Sequence, residues 1–575
     1  MTAILGISAF YHDSAAALIV DGEIVAAAQE ERFTRIKHDP AFPVHAIEYC
    51  LQEARLTTGQ LDYVGFYEKS FLKFERLLET TLASVPLGFR AFLNSIPDWL
   101  NTKLHLPRLI HAGLQQQYQK RIVFTEHHES HAASAFFPSP FEEAAFLTVD
   151  GVGEWAAASY GVGQRNNIEI LQELNYPHSL GLLYSAFTYF CGFRVNSGEY
   201  KLMGLAPYGE PRFVNLIREK LVDIKADGSI RLDLSYFNFW RGLTMTSRRF
   251  EQLFGGPPRQ PESEITQREK DLAASIQIVL EEILLKMVRH VHAETGQKNL
   301  CMAGGVALNC VANGRILNEG PFEKIWIQPA AGDAGGALGV ALFIWHQLLN
   351  QERLVKATDQ QQGSLLGPRY SDAELQDFLD EQGIVYHRLT DEGQLCRQVA
   401  GYLSEQKVVG WFQGRMEYGP RSLGGRSILA DPRSESMQST LNQKIKYRES
   451  FRPFAPAILK ERVSEYFEFP EDLDSPYMLQ LAHLKKHQRK SVPAVTHVDY
   501  SSRLQTVDAE RQSRFHQLIT AFDQLTGVPL VINTSFNVRG EPPVSTPAEA
   551  YHCFQTTGMD VLVLEQFVIL KDEQR

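Results

Sequence analysis

AAFLTVDGVGEWAAASYGVG, residues 144–163, decides the fold. The run from Ala144 to Val149 is apolar, short and ends on Asp150, as a buried strand would. The turn Gly151-Val152-Gly153-Glu154 follows, and small residues then resume a strand-like pattern from Trp155. About 140 residues earlier the same order occurs. ILGIS (4–8) reads as a strand, a polar loop carries His12, and AAALIV and EIVAAA flank Asp21-Gly22, a strong two-residue hairpin signal. Two readings fit this recurrence. Either the hairpins are unrelated, or the fold is duplicated and each half turns toward a nucleotide phosphate, with Gly151 and Gly153 among the contacts.

Working outward, the stretch 71–118 is rich in Phe and Leu, is interrupted by Pro86, Pro97 and Pro107, and reads as an inserted helical subdomain. Ser263 is placed to cap a long helix in which Leu272, Ile276, Val279, Ile283, Met287 and Val291 recur at helical spacing. His290 and His292, near its end, read as favourable C-terminal cations. Two strand–glycine–helix units follow, NLCMAGG (299–305) and IWIQPAAGDAGG (325–336). Free backbone N–H groups at such helix starts hold phosphate or carboxylate. Apolar periodicity is lost over 347–369, which predicts a linker, and a second α/β unit is expected beyond it, with strands near 408–412 and 529–533.

The chain of 575 residues predicts three or four folded units. Its 57 Lys and Arg against 68 Asp and Glu give a charge of −11, which argues against a protein that blankets nucleic-acid phosphates. Six cysteines lie scattered without a C-x-x-C pair, as expected of reduced, buried thiols. The opening residues lack the basic start and cleavage site of a signal peptide, and the most apolar stretch, 334–345, is too short to span a membrane. The cytoplasm is the expected compartment, with no membrane partner.

His127 and His131 stand four apart in EHHESHAASAF, so one helix face carries both imidazoles. They read either as a metal pair or as a polar face. Asp150 and Asp333 could complete a His₂Asp₂ set, whose mixed donors suit Fe²⁺, Mn²⁺ or Zn²⁺. Farther on, WFQGRMEYGPRSLGGRSILADPR supplies Arg415, Arg421, Arg426 and Arg433, and LNQKIKYRESFRPFAP adds Lys444, Lys446, Arg448 and Arg452. Arginine forks beside glycine turns fit a small polyanion better than a solvated basic face. VPLVINTSFNVRGEP ends a strand on Ser535 and Asn537, side chains suited to a phosphate or its metal.

HDSAAALIVDG, HHESHAA, TVDGVGEW, GEYKLMGLAPYG, AGGVALN, GDAGGALG, WFQGRMEYGPRSLGGRSILADPR, IKYRESFRPFAP and NTSFN-x-x-GEP, in this order over nearly the whole chain, resemble the NodU/CmcH family of O-carbamoyltransferases. The resemblance implies an α/β chain: a duplicated, TsaD-like domain of the actin and sugar-kinase superfamily over 1–346, carrying the helical insertion, the linker 347–369, and a YrdC-like domain over 370–575. It implies that carbamoyl phosphate and ATP with Mg²⁺ become carbamoyl-adenylate, and that the carbamoyl group then passes to a hydroxyl of a small acceptor, such as a secondary metabolite. It further implies iron held by His127, His131, Asp150 and Asp333. Gly304, Gly305 and Asn309 match the family's nucleotide loop. Lys446, Arg448, Ser535 and Asn537 match the K-x-R and S-x-N pattern, with Arg452 an alternative for the arginine. Arg415, Arg421 and Arg503 are further expected contacts to carbamoyl phosphate or ATP.

His12 is placed either to take the acceptor's proton or to brace Asp13 and the turn. Lys37 faces either the acceptor or solvent. A homodimer is compatible with the sequence. Two other classes remain, a tRNA threonylcarbamoyl-modifying enzyme and an ATP-switched actin-like scaffold. The first lacks a basic stripe, and the second has no use for the His₂Asp₂ set or the arginines.

Overall fold

The computed structural model describes residues 1–449 and 451–574. The chain divides into two compact units, Met1–Glu30 with His38–Gln360, and Glu31–Lys37 with Gln361–Arg575. Two units, where length alone predicts three or four, follow from the first holding two sheets around shared central helices.

In the first sheet, β1 (Ala3–Ser8), β2 (Ala15–Val20) and β3 (Glu23–Gln29) form an antiparallel meander. β4 (Tyr63–Phe66) and β5 (Ile122–Phe124) extend it in parallel from the other side of β1, giving the order β3-β2-β1-β4-β5. The hairpin turn has Asp21 at φ 48° and Gly22 at φ 87°, both left-handed as a primed two-residue turn requires. The second sheet repeats the plan. β6 (Glu143–Val149), β7 (Ala156–Gln164) and β8 (Asn167–Asn175) form the meander. After the small hairpin of β9 (Val222–Ile224) and β10 (Ile230–Leu232), β11 (Asn299–Ala303) and β12 (Lys324–Ile327) add in parallel beside β6, in the order β12-β11-β6-β7-β8. The two orders are the same, so the recurrence in sequence is a duplication of an α/β fold.

Each half closes on a buried helix that follows its fifth strand: His127–Phe136 after β5 and Asp333–Phe343 after β12. The two helices pack on each other and between the sheets. Gly339 marks their closest approach, where an added Cβ would lie 1.9 Å from the Ser130 carbonyl oxygen. Any side chain there would force the helices apart.

The insertion is helical as expected, with helices Ser70–Ala83, Phe89–Asn101 and Leu106–Gly113. Pro97, expected as a break, lies inside the second of these, and Pro107 sits in the first turn of the third, where a missing N–H costs nothing. The long helix runs Gln267–Thr295 and is capped by Thr266, not Ser263. Only Thr266 has a glutamate three residues on, and Glu269 accepts from its N–H and hydroxyl at 2.9 and 2.6 Å.

The second unit is built on one ten-stranded mixed sheet. Its strands are β13 (His387–Arg388), β14 (Val409–Phe412), β15 (Arg426–Ala430), β16 (Ala455–Leu459), β17 (Phe467–Glu468), β18 (Gln480–Leu484), β19 (Ser501–Val507), β20 (Leu530–Ser535), β21 (Val561–Leu564) and β22 (Phe567–Leu570). Their order is β13-β22-β21-β14-β15-β20-β16-β19-β18-β17. Two features depart from the sequence reading. The expected linker 347–369 is divided, its residues up to Gln360 belonging to the first unit. Arg353, only 6% exposed, holds it there by donating to the carbonyls of Phe136, Phe137, Ser139 and Phe141 at 2.6–2.9 Å. Conversely, Glu31–Lys37 belongs to the second unit, where Arg32 donates to Gly419 O at 2.6 Å and Arg35 to Pro542 O at 2.8 Å. All six cysteines are free and buried, and among the described residues no helix is long and apolar enough to cross a membrane.

Candidate active site

The duplication places the site. β6 runs directly into Asp150, which opens the turn that follows, the closing helix of the first half starts with His127, and that of the second half starts with Asp333. His127 Nε2, His131 Nε2, Asp150 and Asp333 thereby offer ligand atoms within 4.8 Å of one another. His127 Nε2 lies 3.0 Å from His131 Nε2 and 3.0 Å from Asp150 Oδ2, and His131 Nε2 lies 3.2 Å from that same oxygen. Asp333 Oδ1 stands 3.8 Å from His127 Nε2.

Local interactions fix this geometry. The His127 backbone N–H donates to both Glu154 oxygens, at 3.2 and 3.0 Å, at the helix start. Asp150 Oδ1 accepts from Gly151 N at 2.8 Å and Gly305 N at 3.2 Å, which turns Oδ2 toward the imidazoles. The Tyr67 hydroxyl donates to Asp333 Oδ2 at 3.3 Å. Three lone-pair atoms so close together are stable only around a shared cation, whether proton or metal. The Nδ1 atoms of His127 and His131 are buried without a hydrogen-bond partner, so both Nε2 atoms are the ones turned inward. Two imidazoles and two carboxylates on a buried centre fit a divalent first-row metal.

The electrostatics follow the same geometry. Burial pulls the His127 pKa down, but Asp150 and Asp333 hold it above the usual value. Asp150, which burial alone would raise, is held well below the carboxylate range by His127 and His131. His128, between the two, faces the core. Its Nδ1 lies 2.7 Å from Thr148 Oγ1, and burial with the two neighbouring imidazoles pushes its pKa well down.

His12, in the loop after β1, points Nε2 toward Asp333 Oδ2 at 3.8 Å and holds Asp13 Oδ2 through Nδ1 at 3.0 Å. His38 Nδ1 grips the other Asp13 oxygen at 2.8 Å. Against burial, Asp333 and Asp13 raise the His12 pKa to about 10. His12 thus braces the turn and also stands beside the cluster.

The glycines serve the cluster more than an open loop. Gly153 lies against His127, where a Cβ would come within 2.9 Å of the His127 Cβ. Gly304, at φ 88°, turns the chain so that Gly305 N reaches Asp150. Asn309 caps the Cys310–Glu319 helix and is locked to Gln277 at 3.1 Å, so its side chain serves the fold.

In the second unit Lys446, 3% exposed, donates to the Ser535 carbonyl oxygen, to Asn537 O at 3.0 Å and to Asn537 Oδ1 at 2.9 Å, with Ser535 Oγ at 3.3 Å. Burial, then Arg448, Arg452 and Lys37, pushes its pKa well down. Lys37 therefore lies in the field of Lys446, in the second unit and not the first. Arg448 donates to Asn442 Oδ1 at 2.7 Å, and Arg452 pairs with Glu449 at 3.6 Å. Arg415 donates to Leu366 O at 2.7 Å, while Arg503 lies on β19. Two members of the arginine cluster hold the fold itself. Arg426 is fully buried and donates to the carbonyls of Gln413, Gly414, Gly425 and Pro368, and Arg433 forks onto Asp431 at 2.6 Å. Sequence reasoning missed Glu417, which sits in the arginine loop and accepts from Leu423 N and Gly425 N at 2.7 Å and Arg426 N at 3.2 Å. The tight glycine loop around an isolated glutamate, EYGPRSLGG, was its signal.

Residues 3–342 match the model of the carbamoyltransferase N-terminus, and residues 400–571 that of the carbamoyltransferase C-terminus. An uncharacterised protein of Synechocystis sp. is 55% identical over 602 residues, covering 100% of this chain and 97% of its own. The nodulation protein NolNO of Sinorhizobium fredii is 38% identical over 574 residues, covering 98% of this chain and 79% of its own. Among solved structures, full-length HypF in its phosphate- and nucleotide-bound form aligns with a TM-score of 0.32 at 12% identity, over 62% of this chain and 56% of its own. With both of its units matched in order, the chain belongs to the carbamoyltransferase family and is a transferase.

Proposed function

We propose that the chain is an ATP-dependent O-carbamoyltransferase that makes carbamoyl-adenylate in its second unit and carbamoylates a small hydroxylated acceptor in its first. The observation that carries this reading is the cluster of His127, His131, Asp150 and Asp333 with His12 beside it, in a chain of this family. The chemistry balances with one water. Carbamoyl phosphate and water give carbamate and phosphate, carbamate displaces pyrophosphate from ATP, and the acceptor oxygen then displaces AMP to form a carbamate ester.

In the second unit, Lys446 with Arg448 or Arg452 neutralises phosphate charge, Ser535 and Asn537 position it, and Arg415, Arg421 and Arg503 extend the anion site. In the first, His127, His131, Asp150 and Asp333 would hold a divalent metal, iron being the family's, which supplies Lewis acidity toward a carbonyl or phosphoryl oxygen. The N–H groups of the Gly151 and Gly304-Gly305 turns orient Asp150. Asp13 orients His12, which would accept the acceptor's hydroxyl proton once a divalent cation on Asp333 offsets the negative charge that holds its pKa up. Because a mixed anhydride is destroyed by water, transfer requires a site closed to solvent. The protein acts in the cytoplasm, where both co-substrates are made.

The test is to incubate the protein with ATP, carbamoyl phosphate and a panel of hydroxylated metabolites. One acceptor should gain a single carbamoyl mass, with pyrophosphate and AMP formed in step. Carbamoyl transfer without ATP, or pyrophosphate release that ignores carbamoyl phosphate, refutes the reading.

A further inference from the structure

The inserted helices carry apolar residues that their own fold does not cover. On the Ser70–Ala83 helix, Phe71, Leu78 and Leu82 are spaced by seven and four and share one face. On the Phe89–Asn101 helix, Phe89, Leu93 and Leu100 are spaced by four and seven and do the same. Val85 and Leu87 join the two stripes at the hairpin tip. These eight residues are 36–73% exposed, with Leu82 at 73% and Phe89 at 57%. The inner side of the hairpin is packed separately, Phe74 lying 5.4 Å from Trp99, which is 6% exposed. Together the eight side chains expose on the order of 800 Å² of mostly apolar surface, more than the roughly 300–600 Å² of the largest patch on a typical monomer and close to the ~800 Å² that each partner of a standard interface buries.

We propose that this hairpin, residues 70–101, is the surface through which two copies of the chain associate about a two-fold axis. Two amphipathic helices from each copy would then form a four-helix bundle with the stripes inside. Charge favours a second copy as occupant. The first helix exposes Glu75 and Glu79, and the second exposes Arg90. With the two-fold axis along the bundle, each first helix lies beside the partner's second helix, so the acidic pair meets an arginine on both sides of the axis. A lipid surface fits poorly, since helices that lie on membranes carry Lys and Arg along their polar face. Here exposed glutamates outnumber the exposed arginine, in a chain of charge −11.

The full-length protein is to be run on size exclusion with light scattering from about 1 to 100 µM. The expected mass is twice 65.0 kDa. The double variant Leu82→Glu, Phe89→Glu should run as a 65.0 kDa monomer with wild-type metal content and thermal midpoint, its dimer weakened at least a hundredfold. Arg90→Glu should weaken the dimer about tenfold, and adding Glu79→Arg should restore it. This swap carries the test even if the double variant unfolds. A wild type that stays monomeric throughout, or a dimer that neither set of changes weakens, overturns the proposal. So does flotation with vesicles of phosphatidylcholine and phosphatidylglycerol that the double variant abolishes.

Discussion

Glu417→Gln is the most searching perturbation of the arginine loop, because it removes a charge without removing volume. Glu417 is 5% exposed, and its carboxylate holds three backbone N–H groups of the loop, those of Leu423, Gly425 and Arg426. A hydrogen bond to a charged group contributes about 1.5–3 kcal/mol and a neutral one about 0.5–1.5, so the change costs about 1 kcal/mol per bond and about 3 in all. The amide nitrogen adds a conflict, since Glu417 Oε2 also accepts from Arg426 N at 3.2 Å and an NH₂ in its place cannot. A cost of about 3 kcal/mol corresponds to roughly a hundredfold shift in the loop's opening equilibrium. Amide hydrogen exchange over residues 414–430 should therefore speed up by about two orders of magnitude, while the strands β21 and β22 keep their protection. Carbamoyl phosphate binding, measured by titration calorimetry, should weaken at least tenfold, because Arg415 and Arg421 lose their fixed backbone. Exchange within twofold of wild type would refute the idea that this carboxylate organises the loop.

His131→Ala should abolish stoichiometric metal in elemental analysis, whereas His128→Asn should keep it, since His128 faces Thr148. Lys446→Met should abolish pyrophosphate release while leaving metal content unchanged, and normal adenylate formation would remove Lys446 from the site. His12→Asn should let pyrophosphate outrun carbamoylated product, while an equal fall in both would restrict His12 to bracing the turn. His346 is 3% exposed, and burial pulls its pKa down to about 4, so the folded state keeps it neutral. Its contribution is complete above pH 6.5 and is lost as pH falls toward 4, about 3 kcal/mol in all. The urea midpoint of His346→Gln should consequently fall less than that of wild type between pH 6.5 and 4.

The sequence alone determined a good deal. Strand and hairpin patterns around Asp21-Gly22 and Asp150 were legible, because local alternation and turn chemistry are set by neighbours in the chain, but they left duplication as one of two readings until the sheet orders decided it. The four-residue spacing of His127 and His131 was legible for the same reason: a helix turns that spacing into one face. The long helix was legible too, although its cap was displaced by three residues in favour of the capping box at Thr266. Tertiary structure decided what distance in the chain conceals. That Asp150 and Asp333 converge on the two histidines depends on two closing helices crossing at Gly339, and no local signal carries a crossing. Which arginines are taken up by the fold was equally hidden, since Arg426 and Arg433 have the same composition around them as Arg415 and Arg421. Only the fold shows that buried carbonyls and Asp431 take the first two. The segment Glu31–Lys37 joins the second unit although the first unit's sequence flanks it on both sides, because Arg32 and Arg35 find their carbonyl partners there. Burial and long-range pairing are properties of the packed chain, and they assign roles that residue type and spacing leave open.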